Sequence, residues 1–174
     1  LNGRLSVGET EISLSRLKAD DNGVVLAGVG FFDPPATPLD EQGQGEPYGT
    51  YAFAAQLAVV EVDIELGTTK VLRMVAAHDV AKAINPTLVE GQIHGGIAAG
   101  LGQSLLERTF YDDAGQLLTS SYMDYALPRA DDVPELSVSL FEDSPCLTNP
   151  LGAKGSGEIG AVGGPPAIVH AVLD

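Results

Sequence analysis

Over residues 55–64 the chain alternates, with Ala58, Val60, Val62 and Ile64 on one side and Glu61 and Asp63 on the other. A two-residue period predicts a half-buried strand. The turn residues Glu65-Leu66-Gly67-Thr68 and the apolar run over residues 70–76 complete a β-hairpin. Val89, Ile93, Ile97, Leu101 and Leu105 then recur every fourth residue, the stripe of a helix. Asn85 as N-cap and Pro86 at the first helical position open that helix, which is expected to reach Leu106. A turn at Asp112-Asp113-Ala114-Gly115 follows. Leu136, Val138 and Leu140 alternate with serines as a second half-buried strand, and the tail from Pro165 reads as a helix with proline at its start. Upstream, residues 1–32 predict a short strand, a short helix opened by Ser13 or Ser15, a turn at Asp20-Asp21-Asn22-Gly23 and a strand over 24–29. Residues 33–48, with prolines at 34, 35, 38 and 47, read as a long loop. Hairpins mixed with helices predict an α+β fold, a mixed sheet with packed helices, in a single domain over residues 1–174.

Composition narrows the partners. The 24 acidic residues against 9 basic ones, net −15, deny the chain the clustered Lys and Arg that nucleic acid or an anionic membrane requires. A hydrophobic share of 44% with 19% charged residues belongs to a folded globular chain. The one cysteine, Cys146, excludes an internal disulfide and a cysteine-built zinc cage; it reads as a packing residue and is compatible with a cytoplasmic location. No apolar run reaches membrane-spanning length, the longest being broken by Gln56, Glu61 and Asp63. A start at Leu1 and a stop at Asp174 within an apolar run predict a fragment, a processed subunit or an excised domain.

Two segments carry candidate chemistry. On the helix after Asn85, the rows Gly91-Gly95-Ala99 and Gln92-Gly96-Gly100-Ser104 flank the apolar stripe. Each glycine costs about 1 kcal/mol relative to alanine in a helix interior, so the rows need compensation: close packing against another element, or a bulky ligand at the Gly95/Gly96 side in a cleft. The helix start is a natural anion site, and Gln92 offers an acceptor and donors to a heterocycle. The second segment runs from Gly152 to Pro166. Residues 155–160 match G-x-G-x-x-G literally, but no strand leads into them and a central carboxylate would repel a pyrophosphate. What remains is a glycine-dense loop around one carboxylate, Glu158. It is either a solvated surface residue or a general base whose ionisation is raised in a low-polarity pocket.

The run Gly152-Ala153-Lys154-Gly155-Ser156-Gly157-Glu158 with Pro165-Pro166 resembles the active-site segment of the xanthine dehydrogenase/aldehyde oxidase family of molybdenum hydroxylases. His78-Asp79-Val80-Ala81-Lys82-Ala83-Ile84-Asn85-Pro86, continuing through Gln92 to Gly102, resembles the cofactor helix of the same large subunit, and Tyr51 to Asp63 the strand pair before it. The resemblance covers residues 45–174 in order and implies the carboxy-terminal part of a molybdopterin-binding large subunit. By that resemblance Glu158 falls on the catalytic glutamate, and Gln92 on the glutamine that hydrogen-bonds the pterin. Gly155, Ser156 and Gly157 fall on the loop packed against the cofactor, and Asp79 and Asn85 on a turn with dinucleotide contacts in bacterial members. The metal would be held by the pterin, with no protein ligand. The implied reaction hydroxylates an aldehyde or N-heterocycle with water-derived oxygen, and 2Fe-2S and FAD centres on partner subunits take the electrons.

The family's upstream cofactor loops and aromatic substrate clamps have no counterpart here. The chain alone is therefore expected to form an incomplete site that needs the remainder of the large subunit as well as iron–sulfur and flavin subunits. Two alternatives stay open: a carbon monoxide dehydrogenase-type large-subunit fragment, whose distinguishing loop would lie upstream, and a non-catalytic assembly or binding module of the same fold.

Overall fold

The computed structural model describes residues 3–174, apart from the side chain of Val7. The chain groups into two compact units, Leu1–Asp33 and Pro34–Asp174, a division that length and composition do not reveal. The first unit is an antiparallel ribbon of β1 (Arg4–Val7) and β2 (Thr10–Ser13), followed by a single 3-10 turn at Leu14–Arg16 where a short helix was expected. The turn at Asp20 is present, its Oδ1 accepting from the N–H groups of Asn22 and Val24. The strand expected over residues 24–29 is not. Val24, Val25 and Leu26 are exposed, Val29 fully so, and no described strand pairs with them. Without a ladder partner or a face to cover, that run of apolar residues has nothing to hold it extended.

In the second unit the predicted hairpin forms from β3 (Ala54–Asp63) and β4 (Thr68–Asp79). Its turn closes through Gly67, at φ 67°, whose N–H donates to the Asp63 carbonyl at 2.8 Å. A bulge leaves Leu72 unpaired between Val59↔Arg73 and Val60↔Val71. The extra residue rephases β4: Val71 points inward before it and Met74, Ala76 and His78 after it, all buried, while Leu72 and Arg73 are both exposed. Val62 and Ile64, on the expected inner side, are exposed. β5 (Glu135–Phe141) joins the other edge of β4 in parallel, so the sheet is mixed, in the order β3-β4-β5.

α1 (Pro86–Leu101) begins where expected, with the Asn85 side chain accepting from the Leu88 N–H at 3.2 Å. It continues as a π turn over Gly102–Leu106, which carries the helical stretch to its predicted end. α2 (Ile159–Leu173) corrects the sequence reading: it starts at Ile159 and holds Pro165 and Pro166 inside it. Each proline withholds the N–H that would bond the carbonyl four residues back, here Ala161 and Val162. The first turns of α2 are thus short of internal bonds and depend on their neighbours.

Both helices pack on one face of the sheet. The core joins Val71, Met74 and Ala76 of β4 to Ile93, Ile97 and Leu101 of α1 and Ile168 of α2. The two glycine rows of α1 have different fates. A Cβ on Gly96 would lie 2.7 Å from the Ala161 nitrogen, and one on Gly100 would lie 2.8 Å from Pro165 Cδ. Gly160 in turn abuts the Ile93 carbonyl. Gly91 and Gly95 have nothing within 4 Å. Close packing therefore accounts for the Gly96 row, and of the expected Gly95/Gly96 cleft only the Gly91/Gly95 side is open.

Lys154 ties the loop before α2 to the end of β4. Its Nζ lies 2.5 Å from Asp79 Oδ2, with both side chains largely buried. Burial raises the Asp79 carboxyl, but the Lys154 hydrogen bond and charge, with the backbone of Ala81 and Phe53, outweigh it and hold the group below its ordinary value.

Two predictions follow from this packing. Gly96→Ala should destabilise the chain by about 1–3 kcal/mol through overpacking, whereas Gly95→Ala, in open space, should stabilise it by up to about 1 kcal/mol; urea midpoints compare the two. Lys154→Met should cost about 3 kcal/mol near neutral pH by stranding a buried carboxylate. Because the folded Asp79 value is depressed, the pair's contribution is complete above the ordinary carboxylate value and fades as pH falls through the folded one. In the variant burial, no longer opposed by Lys154, raises the Asp79 carboxyl, so the difference between wild type and variant should be greatest near neutral pH, shrink as pH falls through that raised value and be lost below the depressed wild-type one. A penalty that stays constant down to pH 3 would show that the pair adds no charge-dependent stability.

Candidate active site

The loop into α2 is organised by Asn149. Its Oδ1 accepts from the N–H groups of Leu151 and Ala153, and its Nδ2 donates to the Ala153 carbonyl at 2.8 Å. After Lys154 come Gly155, exposed with nothing within 4 Å of a notional Cβ, half-buried Ser156 and exposed Gly157. Glu158 stands at the N-cap position of α2, exposed, and its carboxylate makes no cap hydrogen bond or ion pair among the described residues. The low-polarity pocket expected around it is not built by these residues. An extended loop with three glycines in front of a helix start carries no bulky side chain to enclose it.

The backbone on either side of Glu158 is nevertheless held. On the near side, Gln92 Nε2 of α1 donates to the Gly157 carbonyl at 3.3 Å. On the far side, Gln56 Nε2 of β3 donates to the Gly160 carbonyl at 3.0 Å and approaches that of Ile159 at 3.5 Å. The same nitrogen lies 3.3 Å from His78 Nε2. Carbonyls only accept, so the amide nitrogen must face them, which makes His78 Nε2 the acceptor and places the ring proton on Nδ1. Burial lowers the His78 imidazole below its ordinary value and keeps it neutral, in keeping with that contact. Gln56 Oε1 and His78 Nδ1 are buried without a partner among the described residues.

The structure thus brings Gln92, Gly155, Ser156, Gly157 and Glu158 together on one side of the unit. Asp79 and Asn85 lie on the adjoining turn. There Asp79 Oδ1 accepts from the Ala81 N–H, Ala81 is left-handed at φ 51°, and a bridge pairs Ala81 with Ala153. A cavity of about 250 Å3 lies between this turn and the loop, with Asn85, Lys154 and Ser156 in its lining. Asp79 and Asn85 both spend side-chain oxygens on local structure, the one on Lys154 and Ala81, the other on capping α1. A larger hollow of about 710 Å3 lies around Lys70, Leu105 and Asp131, by the π turn that ends the α1 stretch, whereas Glu158 borders its first half. Cys146 is buried, and its Sγ sits 3.0 Å from Thr148 Oγ1; that hydroxyl, the Thr148 backbone and Thr50 bring the thiol down to about 7. Among the described residues no hydrogen bond joins His94 or His170 to these groups; His94 lies 3.9 Å from Glu90.

Gln56 and His78 were not singled out by sequence. The signal was available: Gln56 shares its strand parity with Ala58 and Val60, and His78 with Met74 and Ala76, so both polar side chains face the core. A flat anionic heterocycle fits what is present. The Gly91/Gly95 side of α1 and Gly155 leave open surface, the backbone N–H groups of residues 155–157 are at hand, and Gln92 keeps its Oε1 for a ligand.

Residues 1–134 match the family described as Molybdopterin cofactor-binding domain. The chain is 34% identical over 149 residues to the carbon monoxide dehydrogenase large chain of Afipia carboxidovorans, covering 86% of this chain and 17% of that protein. It is 32% identical over 161 residues to aldehyde oxidase 4 of Rattus norvegicus, covering 90% of this chain and 12% of the relative. The crystal structure of a Cu,Mo-CO dehydrogenase superposes with a TM-score of 0.71 at 33% identity, covering 83% of this chain and 17% of that one. The chain spans less than a fifth of the length of these relatives. It belongs to the molybdopterin cofactor-binding domain family, that of the large subunits of molybdenum oxidoreductases related to xanthine dehydrogenase and aldehyde oxidase.

Proposed function

We propose that this chain is the Glu158-bearing part of a cytoplasmic molybdenum hydroxylase. In the reaction, an aldehyde or N-heterocycle C–H and water give C–OH, two protons and two electrons, and the electrons pass to 2Fe-2S and FAD centres on partner subunits. The observation that carries the reading is an exposed carboxylate without a partner among the described residues, set on a backbone gripped from both sides and next to an open glycine surface. A general base needs a free acceptor oxygen carried on a backbone held in place, and Glu158 offers that combination. When bound, the molybdenum–pterin cofactor, in its dinucleotide form, supplies the two-electron acceptor.

The remaining work falls to this chain's own groups. Glu158 takes the proton that water loses as its oxygen is transferred. Gln92, anchored through its Nε2 to Gly157, would offer Oε1 to a pterin N–H. The backbone N–H groups of Gly155, Ser156 and Gly157 would hold the anionic part of the cofactor, since the nearby Lys154 is committed to Asp79. Asp79 and Asn85 shape the adjoining turn, which would lie beside the dinucleotide. The remainder of the large subunit closes the site.

The similarity to carbon monoxide dehydrogenase large chains favours a second reading, in which carbon monoxide and water give carbon dioxide, two protons and two electrons. The 174-residue chain purified alone should carry far less than stoichiometric molybdenum under either reading, and full loading would mean that the site is self-sufficient. In the assembled enzyme, Glu158→Gln should lower single-turnover reduction by substrate by at least about 10²–10⁴-fold with cofactor content unchanged. Benzaldehyde, quinoline and carbon monoxide serve as the trial substrates and distinguish the two readings. Glu61→Gln, on the exposed side of β3, is the control. Near wild-type reduction by the Glu158→Gln enzyme, fully loaded, would make Glu158 a structural carboxylate.

A further inference from the structure

Gln56 occupies an odd place for an amide. It sits on the inward side of β3 in series with Ala58 and Val60, where an apolar residue would pack without stranding a buried oxygen. An unsatisfied buried polar atom costs about 1–3 kcal/mol, and Gln56 Oε1 and His78 Nδ1 are two such atoms within one pair. The room for the side chain is made by α2: a Cβ on Gly163 would lie 3.0 Å from Gln56 Cγ and Cδ. What the arrangement secures is the first turn of α2. Pro165 and Pro166 withhold the donors for the Ala161 and Val162 carbonyls just beyond it, and Gln56 Nε2 holds the carbonyl before these, that of Gly160, two residues beyond Glu158. His78 Nε2 accepts from the same amide and fixes its orientation.

We propose that Gln56, oriented by His78, is a positioning residue for Glu158: it pins the Ile159–Gly160 backbone so that the carboxylate leaves the chain at one height and direction, toward the water whose proton it takes. The inference rests on the reading of Glu158 as the base. Gln92 holds the preceding carbonyl from α1, so the two glutamines bracket the glutamate from different layers of the fold. Neither touches the carboxylate, which stays free to exchange its proton.

The test uses the complete large subunit in its complex, with whichever of benzaldehyde, quinoline or carbon monoxide it oxidises. Gln56→Met keeps length and volume and removes both N–H donors. It should lower kcat by about 10- to 100-fold, the loss typical of a small misplacement of a reacting group, with KM within about twofold and molybdenum content unchanged. Amide exchange over residues 157–161 should quicken while that of β4 does not. In a Glu158→Gln background, Gln56→Met should bring no further loss, because a positioning residue has nothing left to position. Should the Met variant fail to assemble, Gln56→Asn, one methylene short of the Gly160 carbonyl, carries the same comparison. An inactive Glu158→Gln enzyme beside a Gln56→Met enzyme with wild-type kcat would overturn the positioning role and leave the base intact. Equal losses in both backgrounds would reduce Gln56 to a structural residue. An active Glu158→Gln enzyme would remove the base, and the positioning role with it.

Discussion

Where α1 crosses α2 the two backbones meet with no side chain between them. Gly96 faces the Ala161 nitrogen and Gly160 faces the Ile93 carbonyl, each too close for a Cβ. Glycine is unfavourable inside a helix by about 1 kcal/mol per position, so the contact exists for what it places rather than for helix stability. Backbone contact fixes the height of α2 on α1 to within a few tenths of an ångström. Because Glu158 immediately precedes α2 and Gln92 is one residue from Ile93, their separation is set by the same contact. The core around Met74, Ile97 and Ile168 then holds both helices to the sheet.

Charge is distributed unusually for a domain that meets an anionic cofactor. The lysine in the glycine loop is turned inward to Asp79, where it stabilises a turn that includes a left-handed alanine. A left-handed non-glycine residue costs about 1–2 kcal/mol, and the Asp79 carboxylate offsets this by accepting the Ala81 N–H. In the site we propose, recognition of anionic groups falls to peptide N–H groups, which act at short range and are directional. A surface of that kind would select a flat ligand approaching from one side and would not attract polyanions from a distance.

Much of this was legible in the sequence, for identifiable reasons. β3 carries a two-residue period and a glycine turn, and α1 carries its own N-cap and stripe; both are local signals, and both elements form, although the bulge at Leu72 rephases β4 and leaves Val62 and Ile64 outside the inner face. The start of α2 is not legible in the sequence because proline is a strong boundary signal, whereas the helix begins six residues before Pro165, its first turn held by contact with α1 and by Gln56. The strand over residues 24–29 had apolar composition but no partner, and a ladder is a tertiary fact. The loop residues from Gly155 to Glu158 were recognisable as a motif, yet the exposure of Glu158 was not, since burial depends on what surrounds a loop. Gln56 was passed over as an interruption in an apolar run, although its parity already turned it inward.

The parallel pairing of β5 with β4 carries a kinetic consequence. The β3–β4 hairpin closes through a four-residue turn and can form within the earliest microseconds of folding. β5 must first bring together ends separated by residues 80–134, and α2 lies further on still, so the Gln56 grip on Gly160 spans 104 residues of chain. Loop-closure entropy places such contacts late. A nascent chain therefore presents the sheet hairpin and α1 before the carboxylate segment is seated, and the glycine face of α1 is bare for as long as that segment remains unfolded.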